Sequence, residues 1–398
     1  MVRPSRVLSL YEGFFAGGAR ILHTDVIAGL HAGGHQEHSV LAIAARAHRE
    51  STVQRMQDDP RYLQLVGGGI RVSTLGTVAG GHPAAPESFT DRQLKIAAEA
   101  VHSADLILSL KEQPLGILLA LQARGLMSDA PVAACLHRSD PLHSGPALGW
   151  LTQAAASGLL TATIACAEAT DRAYARAGVT ASRRYVIANG IDTRRFRPGT
   201  RAEQQATRRA LGIPSGAPVV AYAARFDPMK DPGLFLRALA RHAERHPGTH
   251  YVLCGAGMSW ENPAFRALAA ESGVLPTAQI HALGIRHDMP AIYQIADVIA
   301  LTSAFGEASP LCLIEGAACG ATPVTTDVGD AAVQIDGIGV VTPADAGAIA
   351  DTWQTVLQNR PEFRRRALAA RPRLGRRRML NQYRAVAFDL LRREEVAA

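Results

Sequence analysis

The sequence predicts an α/β protein of two doubly wound, Rossmann-like domains that face each other across a cleft. Three observations support this fold class. The chain has 398 residues, enough for two domains of roughly 100–200 residues each. Short apolar segments alternate with helical patterns, which is typical of a parallel sheet with crossover helices. A polar, arginine-rich stretch at 194–217 interrupts the alternation, which then restarts.

The first domain is predicted to span residues 1–195. It opens with the strand RVLSLY, a turn that contains Gly17 and Gly18, and a helix from Ala19 to Gly33. Five further strands are predicted in SVLAIAA, ADLILSL, PVAACLH, TATIACAE and RRYVIANG. Residues 51–90 are predicted to be irregular.

A linker is predicted at 196–216, a second domain at 217–375, and a C-terminal helix at 376–398 that packs back on the first domain. Strands of the second domain are predicted in APVVAYAAR, HYVLCGAG, DVIALTS and TPVTTD. Ligands of such sheets bind beyond the carboxyl ends of the strands, so functional residues are expected in the loops that follow them.

Composition narrows the class of protein. The formal net charge is +7, and almost all of the basic charge is arginine, because lysine occurs only at Lys95, Lys111 and Lys230. The basic C-terminal part lacks the interleaved aromatic residues of a single-strand binder, so no nucleic-acid partner is expected. Weak association with an anionic membrane surface and a homodimer stay open.

No signal peptide or span of ~20 apolar residues is recognisable, so a cytoplasmic protein is expected.

The strongest motif is FGEASPLCLIEGAACG, in which seven residues separate Glu307 from Glu315. Pro310 and the apolar residues after it predict a helix start, with Glu307 in the preceding loop. Such a helix end offers N–H groups to a diphosphate, and the two carboxylates can accept hydrogen bonds from a sugar and a ribose. The alternative is two solvated glutamates, but Glu315 lies in an apolar run where an unpaired carboxylate is costly.

The second motif is AARFDPMKD, where Arg225 and Lys230 follow an apolar strand. Two cations at a strand's carboxyl end suit a diphosphate leaving group. The alternative is an ordinary turn in which Asp227 or Asp231 pairs with the arginine.

Two weaker signals lie in the first domain. Gly17 and Gly18 form either a structural turn or a phosphate loop. His137, just past a strand, is either a capping histidine or a group that hydrogen-bonds a substrate. No Asp-x-Asp pair, H-E-x-x-H motif or cysteine pair occurs, so neither a metal nor another cofactor is expected.

These motifs occur in an order that resembles the retaining GT-B glycosyltransferases of the family-4 type, also called glycosyltransferase group 1. GGAR…LHAGGHQ, VIANGIDTRRFRP, ARFDPMKD, LCGAGM, LGIRHDMPAIYQIADV and the Glu307–Glu315 segment resemble successive family segments, and together they cover most of the chain. The chain departs from the family pattern at Arg20, where a glutamate is usual, at Ala188, and at Ala308 and Ser309.

The resemblance implies transfer of a sugar from a nucleotide-diphosphate sugar, with retention of configuration and without a metal. The implied catalytic residues are His137, Arg225, Lys230 and Glu307. The implied donor-binding residues are Gly17, Gly18, Arg225, Lys230, Gly255, Ile285, Arg286, Ala308, Ser309, Pro310, Leu311 and Glu315.

The acceptor is expected at predicted strand ends of the first domain. The candidates are Glu12, Lys111, Glu112, Gln113, Arg138 and Asp140. A UDP- or GDP-sugar donor and a small-molecule, natural-product or glycolipid acceptor are expected, and the acids among the candidates favour a cationic small molecule. The alternatives are an enzyme like the non-hydrolysing sugar-nucleotide epimerases and a non-catalytic nucleotide-sugar binder.

Overall fold

The protein, seen in a computed structural model that describes residues 3–15, 17–49, 52–80 and 82–392, forms two compact units. The first unit comprises Met1–Asn189 and Arg377–Ala398, and the second comprises Gly190–Arg376. Residues 196–216, predicted as a linker, are part of the second unit. The ends of the predicted first domain and C-terminal helix, 1–2 and 393–398, lie outside the described residues.

The first unit is built on one sheet. Its described strands are β1 (Ser5–Gly13), β2 (Gln36–Arg49), β3 (Thr52–Arg55), β4 (Arg71–Ala79), β5 (Leu106–Leu110), β6 (Val132–Leu136), β7 (Ala162–Ala165) and β8 (Arg183–Val186). The order is β3-β2-β1-β5-β6-β7-β8, β4 pairs with β2, and only the β2–β3 pair is antiparallel among these strands. The chain proceeds from β1 to opposite sides of the sheet at β2 and β5, which makes the β1/β5 boundary a topological switch point.

The helices of the first unit cover this sheet, so that every residue of β5 and β6 is buried. They are α1 (Gly18–Ala32), α2 (Pro60–Gly67), α3 (Asp91–His102), α4 (Leu115–Ala123), α5 (Pro146–Ala156) and α6 (Glu168–Arg176). The prediction that residues 51–90 are irregular is wrong, because β3, α2 and β4 lie there. As an outer strand, β4 alternates exposed and half-buried residues around the buried Leu75, and it lacks the apolar run that marks a central strand.

The second unit is built on a parallel sheet in the order β11-β10-β9-β12-β13-β14. Its strands are β9 (Val219–Ala223), β10 (His250–Cys254), β11 (Gln279–Ala282), β12 (Val298–Leu301), β13 (Thr322–Thr325) and β14 (Val340–Val341). Since β10 and β12 flank β9 on opposite sides, the second switch point lies between β9 and β12.

Helices α7 to α15 belong to the second unit. They are α7 (Arg201–Ala210), α8 (Pro232–Arg245), α9 (Pro263–Glu271), α10 (Met289–Ile295), α11 (Leu311–Cys319), α12 (Ala331–Gln334), α13 (Ala346–Gln358), α14 (Arg360–Ala369) and α15 (Arg371–Leu374). Large aromatic residues fill the core, with the rings of Phe235 and Trp353 centred 5.3 Å apart. The unit therefore has its own hydrophobic core beside its own switch point.

The last helix, α16 (Arg376–Leu391), belongs to the first unit from Arg377 onward. It buries Tyr383, Val386 and Leu390, and Leu380 packs so close to α1 that a Cβ at Gly29 would lie 2.7 Å from it. Glycine at position 29 thus permits this close packing. Within the described residues, no helix combines the length and apolarity that crossing a membrane requires.

Candidate active site

The residues predicted to bind the donor diphosphate and sugar follow the two strands at the switch point of the second unit. Arg225 and Lys230 come after β9, and Glu307 comes after β12. Because these strands are neighbours, the loops that follow them meet, and the N–H of Ala304 donates to the carbonyl oxygen of Met229 at 3.0 Å. The structure therefore brings the two strongest sequence motifs together.

Lys230 and Glu307 form a direct ion pair through Nζ and Oε1. Their side chains are 15% and 6% exposed, and the hydroxyl of Ser303 donates to the same carboxylate oxygen. Removing one member of such a buried pair leaves the other charge without compensation. Each side chain therefore holds the other in place.

The backbone around Lys230 is also fixed. Its carbonyl oxygen accepts hydrogen bonds from the hydroxyls of Tyr222 at 2.6 Å and Thr302 at 3.2 Å. The next residue, Asp231, has a φ of 44° and caps α8 by accepting from the N–H of Leu234 at 2.9 Å. A non-glycine residue in this region costs about 1–3 kcal/mol and is typical of functional sites.

Two glycines determine where Glu307 lies. A Cβ at Gly329, whose φ is 64°, would lie 1.8 Å from the carbonyl oxygen of Glu307. A Cβ at Gly306, whose φ is 77°, would lie 2.6 Å from the sulfur of Met229. Both positions combine a left-handed backbone with a close approach, so only glycine fits without movement.

The predicted phosphate-binding segment, Ala308 to Leu311, leads directly into α11. Pro310 is the residue before this helix, and no side chain caps its first turn. The hydroxyl of Ser309 accepts a hydrogen bond from Gln334 at 2.9 Å. An uncapped helix start presents N–H groups and a partial positive charge, which suits a phosphate.

Glu315 lies inside α11, apart from the ion pair. Tyr293 on α10 donates a hydrogen bond from its hydroxyl to Glu315 at 3.1 Å. Burial raises the pKa of Glu315 to about 7, although this hydrogen bond acts in the opposite direction. Glu315 is therefore poised to gain or lose a proton near neutral pH.

Arg225 differs from Lys230 in being mostly in solvent. Its side chain is 59% exposed and pairs with Asp227 at 3.3 Å. An exposed pair of this kind contributes little to stability, about 0–1 kcal/mol, so Arg225 can exchange this partner for another anion.

Three further donor candidates lie near the ends of β10 and β11. Gly255 has a φ of 142°, and a Cβ there would lie 1.9 Å from the carbonyl oxygen of Ala224. Ile285 is 62% exposed, whereas Arg286 donates two hydrogen bonds to Asp288, at 2.8 and 2.6 Å. Gly255 thus has a structural reason to be glycine that is independent of a ligand.

In the first unit, hydrogen bonds from Arg20 stabilise the glycine-containing turn after β1. The buried guanidinium donates to the carbonyl oxygen of Gly13 at 2.7 Å and to Glu12 at 3.1 Å, and it lies 3.4 Å from the ring centre of Phe15. Gly17 precedes α1 and accepts from the N–H of Arg20, and Gly18 is the first residue of α1. Arg20 therefore fixes the conformation of the loop that contains Gly17 and Gly18. It also forms an ion pair with the carboxylate of Glu12.

We expect Arg20→Ala to destabilise the first unit by about 3 kcal/mol, the low end of the range for breaking a buried ion pair, because Glu12 keeps some contact with solvent. Urea denaturation measures this change. Arg92→Ala, which truncates an exposed arginine on α3, is the matched control and should have little effect. Equal losses in the two variants would contradict the assigned role of Arg20.

Lys111 follows β5 with a φ of 69°, which is unusual for a residue with a side chain. Its N–H donates to the carbonyl oxygen of Cys135 at 3.0 Å, and its own carbonyl oxygen accepts from the hydroxyl of Ser109 at 2.8 Å. Burial, together with the positive charges of Arg138 and Arg20, lowers the pKa of Lys111 to about 8. The ammonium is thus held in a buried environment that disfavours its charge, although Glu112 and Glu12 partly compensate it.

Glu112 is completely buried beside it. Tyr174 donates a hydrogen bond to Oε1, and the hydroxyl of Ser144 lies within hydrogen-bonding reach of the same carboxyl group. Burial raises the pKa of Glu112. This carboxyl is therefore biased towards its protonated form.

His137 and Arg138 follow β6. Burial lowers the pKa of His137 to about 3, so the imidazole is neutral at physiological pH, and Lys111 contributes to this shift. Asp140 instead accepts from the N–H of Leu142 at 3.0 Å and pairs with His143 at 2.7 Å. The structure thus gathers the predicted acceptor residues Lys111, Glu112 and Arg138 around His137, while Asp140 has a local structural role.

Several residues of these clusters were not predicted from the sequence. They are Ser303 and Tyr293 beside the two glutamates, Gly329 against the Glu307 loop, and Tyr174 and Ser144 beside Glu112. Gly329 follows a predicted strand, which is a usable signal for a close backbone approach. Tyr174 lies in a helical pattern 62 residues from Glu112, and no local pattern indicates their contact.

Comparison with known proteins finds similarity in the second unit to a described family. Residues 203–372 match the family model described as glycosyl transferases group 1. A D-inositol 3-phosphate glycosyltransferase of Corynebacterium kroppenstedtii is 30% identical over 188 residues, which are 44% of this chain and 39% of the relative. The protein of the same name from Saccharomonospora viridis is 37% identical over 157 residues, 38% and 36% of the two chains. The matched part therefore spans well under half the length of these relatives.

Solved structures match the whole chain. Anabaena HepE in complex with UDP has a TM-score of 0.76 and 20% identity, over 96% of this chain and 99% of that one. A glycosyltransferase from Rickettsia africae has a TM-score of 0.73 and 16% identity, over 99% and 100%. At these identities the likeness shows the fold.

Two Rossmann-like α/β units define a protein of the GT-B fold, which confirms the predicted fold class. Within that fold, residues 203–372 match the glycosyl transferases group 1 family model, in line with the sequence resemblance. Arg225, Lys230, Glu307 and Glu315 all lie inside the matched segment.

Proposed function

We propose that the protein is a retaining glycosyltransferase, active in the cytoplasm without a metal ion, that transfers a sugar from a UDP-sugar to an acceptor hydroxyl. The observation that carries this proposal is the Lys230–Glu307 pair, which belongs to the glycosyl transferases group 1 segment and lies in the loops before α8 and α11. The choice of UDP is supported by Anabaena HepE, whose structures contain UDP and UDP-glucose.

In this proposal a bound donor replaces contacts that the free protein makes internally. Lys230 turns from Glu307 to the diphosphate, and Arg225 exchanges Asp227 for a phosphate oxygen. Glu307 then accepts hydrogen bonds from the sugar hydroxyls, and N–H groups at the start of α11 contact the diphosphate. These exchanges give Lys230 an anionic partner again and leave the Glu307 carboxylate hydrogen-bonded to the sugar.

The transfer step breaks the bond between the sugar C1 and the diphosphate oxygen, and the electron pair goes to the diphosphate. Lys230 and Arg225 stabilise the charge that develops there. The acceptor oxygen bonds to C1 on the same face, and its proton passes to the departing phosphate oxygen. Neutral His137, with its low pKa, is too weak a base to take that proton, so we assign it to hydrogen bonding with substrate.

We propose metal-free catalysis because two cations and a helix start are assigned to the diphosphate charge. The described residues include no group of three or more His, Cys, Asp or Glu side chains that could hold a metal ion. Full activity in the presence of EDTA would support the proposal, whereas loss of activity that Mg²⁺ or Mn²⁺ restores would contradict it.

A thermal-unfolding screen with UDP, GDP and ADP tests the donor. We expect UDP to stabilise the protein most, by about 2.7 kcal/mol at a hundred times its Kd. Incubation with radiolabelled UDP-sugar then tests the reaction. The absence of stabilisation by any nucleotide would overturn the proposal, and conversion of the donor to its epimer without an acceptor would favour the epimerase-like alternative.

We expect binding of UDP-glucose to strengthen about tenfold between pH 6 and pH 8. The ribose hydroxyls would donate to the ionised carboxylate of Glu315, whose pKa in the free protein is about 7, so a proton must leave at pH 6 before binding. Isothermal titration calorimetry measures the affinity. In Glu315→Gln the affinity should be weaker and independent of pH in this interval, and a persisting pH dependence would exclude Glu315 as its source.

A further inference from the structure

A tryptophan side chain lies exposed beyond the carboxyl end of β10 in the second unit. Trp260 is 42% exposed, and Ile285, in the loop after β11, is 62% exposed. The two loops lie side by side, because Ser259 forms an antiparallel β-bridge with Leu283. Two large apolar residues are therefore exposed on adjacent backbone segments, at the edge of the sheet where ligands of parallel sheets bind.

The backbone around Trp260 is fixed by local hydrogen bonds. The carbonyl oxygen of Trp260 accepts a hydrogen bond from the guanidinium of Arg266. The N–H of Asn262 donates to the carbonyl oxygen of Ser259 at 3.0 Å, and the side chain of Asn262 caps α9. The indole contacts the ring of Phe265 edge-on, with ring centres 5.1 Å apart. An aromatic ring that is already held in place loses little conformational entropy when it binds a ligand.

Aromatic contacts connect Trp260 to the loop that carries Arg225. The fully buried Phe265 contacts Phe226, with ring centres 6.2 Å apart. Phe226 directly follows Arg225, and its N–H donates to the carbonyl oxygen of Ala256 at 2.8 Å, which joins the loops after β9 and β10. Trp260 thus lies two ring contacts from the residue beside Arg225. In a nucleotide the ribose separates the base from the diphosphate, so a ring near Arg225 but not beside it suits the base.

The chemistry of this surface favours a flat aromatic ligand over a sugar or a phosphate. Trp260 and Ile285 present mainly carbon atoms, and the neighbouring guanidinium of Arg286 already donates to Asp288 at 2.8 and 2.6 Å. A hydroxyl-rich ring would cover little of the apolar surface. A nucleobase covers it by stacking, and such a contact strengthens binding by about tenfold.

We propose that the indole of Trp260 is the surface on which the nucleobase of the donor stacks, and that Ile285 extends this apolar surface. The inference rests on the proposed function for the identity of the ligand as a nucleotide sugar. Every base has an aromatic face, so Trp260 contributes affinity for UDP, GDP and ADP alike. The choice among these bases then depends on hydrogen bonds to the edge of the base, which a stacking contact does not read.

Trp260→Ala should weaken the binding of UDP and of GDP by about tenfold each, and it should leave the binding of inorganic pyrophosphate unchanged, because pyrophosphate has no base. Trp260→Phe keeps an aromatic face and should retain most of the affinity for UDP. Isothermal titration calorimetry on the full chain measures each affinity. Wild-type affinity for UDP in Trp260→Ala would overturn the proposal. An equal loss for UDP and pyrophosphate would also overturn it, because the indole would then support the loops without contacting the base.

The fluorescence of the indole locates the contact. The chain has three tryptophans, of which Trp353 is fully buried in the core of the second unit and Trp150 lies on α5 of the first unit. We expect UDP to change the emission of the wild-type protein and of the control variant Trp150→Phe. The emission of Trp260→Phe should not respond, although this variant still binds UDP. A full response in Trp260→Phe would place the base elsewhere and refute the proposal.

The two proposals fail in different ways. If UDP binds the wild-type protein and the Trp260 variants with equal affinity, the donor assignment stands and the stacking contact is refuted. If the Trp260 variants behave as expected but no sugar is transferred from a UDP-sugar, the stacking contact is supported and the transferase is refuted. Absence of any nucleotide binding to the wild-type protein would refute both.

Discussion

Glu307→Gln should nearly abolish sugar transfer while it strengthens the binding of UDP. In the free protein Glu307 holds Lys230 in a buried ion pair, so a diphosphate must compete with the carboxylate for the ammonium. The neutral glutamine does not compensate the positive charge of Lys230, so Lys230 becomes available to UDP. The transferred sugar, however, loses the carboxylate that orients it. We expect kcat to fall by about 10²–10³, the size of effect seen when one preorganised electrostatic group is removed.

Lys230→Met should behave differently, because it removes the cation and leaves Glu307 buried without a partner. We expect weaker UDP binding, a similar loss of kcat, and a loss of stability of about 3–5 kcal/mol. The double variant should be more stable than Lys230→Met, since neither charge is then unpaired. Lys95→Met, at an exposed position of α3, controls for the loss of a lysine.

Calorimetry with UDP, steady-state kinetics with a UDP-sugar and urea denaturation give the three quantities. The decisive comparison is UDP affinity in the two single variants. If Glu307→Gln bound UDP as weakly as Lys230→Met, the ion pair would not be the contact that the donor displaces. The stability loss of the double variant, compared with the sum of the losses in the two single variants, then shows whether Lys230 and Glu307 are energetically coupled.

The central strands could be predicted from the sequence because burial on both faces leaves a continuous apolar run. Every residue of β5, β6 and β10 is buried, and all but Ser109 and His250 are apolar. β4 has no such run, since its exposed residues alternate with half-buried ones, and its pairing with β2 depends on a strand more than 20 residues earlier in the chain. The sequence does contain a pattern that predicts the start of α2, because Asp59 caps the helix and Pro60 is its first residue.

The donor candidates could be predicted from the sequence as members of two motifs, but their contacts could not. Lys230 and Glu307 are 77 residues apart, and only the adjacency of β9 and β12 brings them together. The motif also does not distinguish Arg225, which is mostly exposed, from Lys230, which is buried. The same limit applies to Glu112, whose hydrogen bond to Tyr174 depends on packing of α6 against the sheet.

Gly329→Ala should reduce activity through the position of Glu307, although residue 329 is not assigned to either substrate. The added methyl group would lie 1.8 Å from the carbonyl oxygen of Glu307, so one of the two backbone segments must move by more than an ångström. A displacement of about 1 Å at a catalytic group can cost about a hundredfold in rate. We therefore expect kcat/KM for a UDP-sugar to fall by about that factor.

The matched control is Gly337→Ala. Its φ of 71° is close to the 64° of Gly329, and a Cβ there meets no atom within 4 Å. Both variants bear the same cost of a left-handed alanine, about 1–2 kcal/mol, so both should lose similar stability from that source. Only Gly329→Ala should also lose activity, which kinetics on the folded variants can measure. Equal activity in the two variants would mean that the loop tolerates the added methyl group. The ion pair with Lys230, and not the close approach of Gly329, would then determine where the Glu307 carboxylate lies.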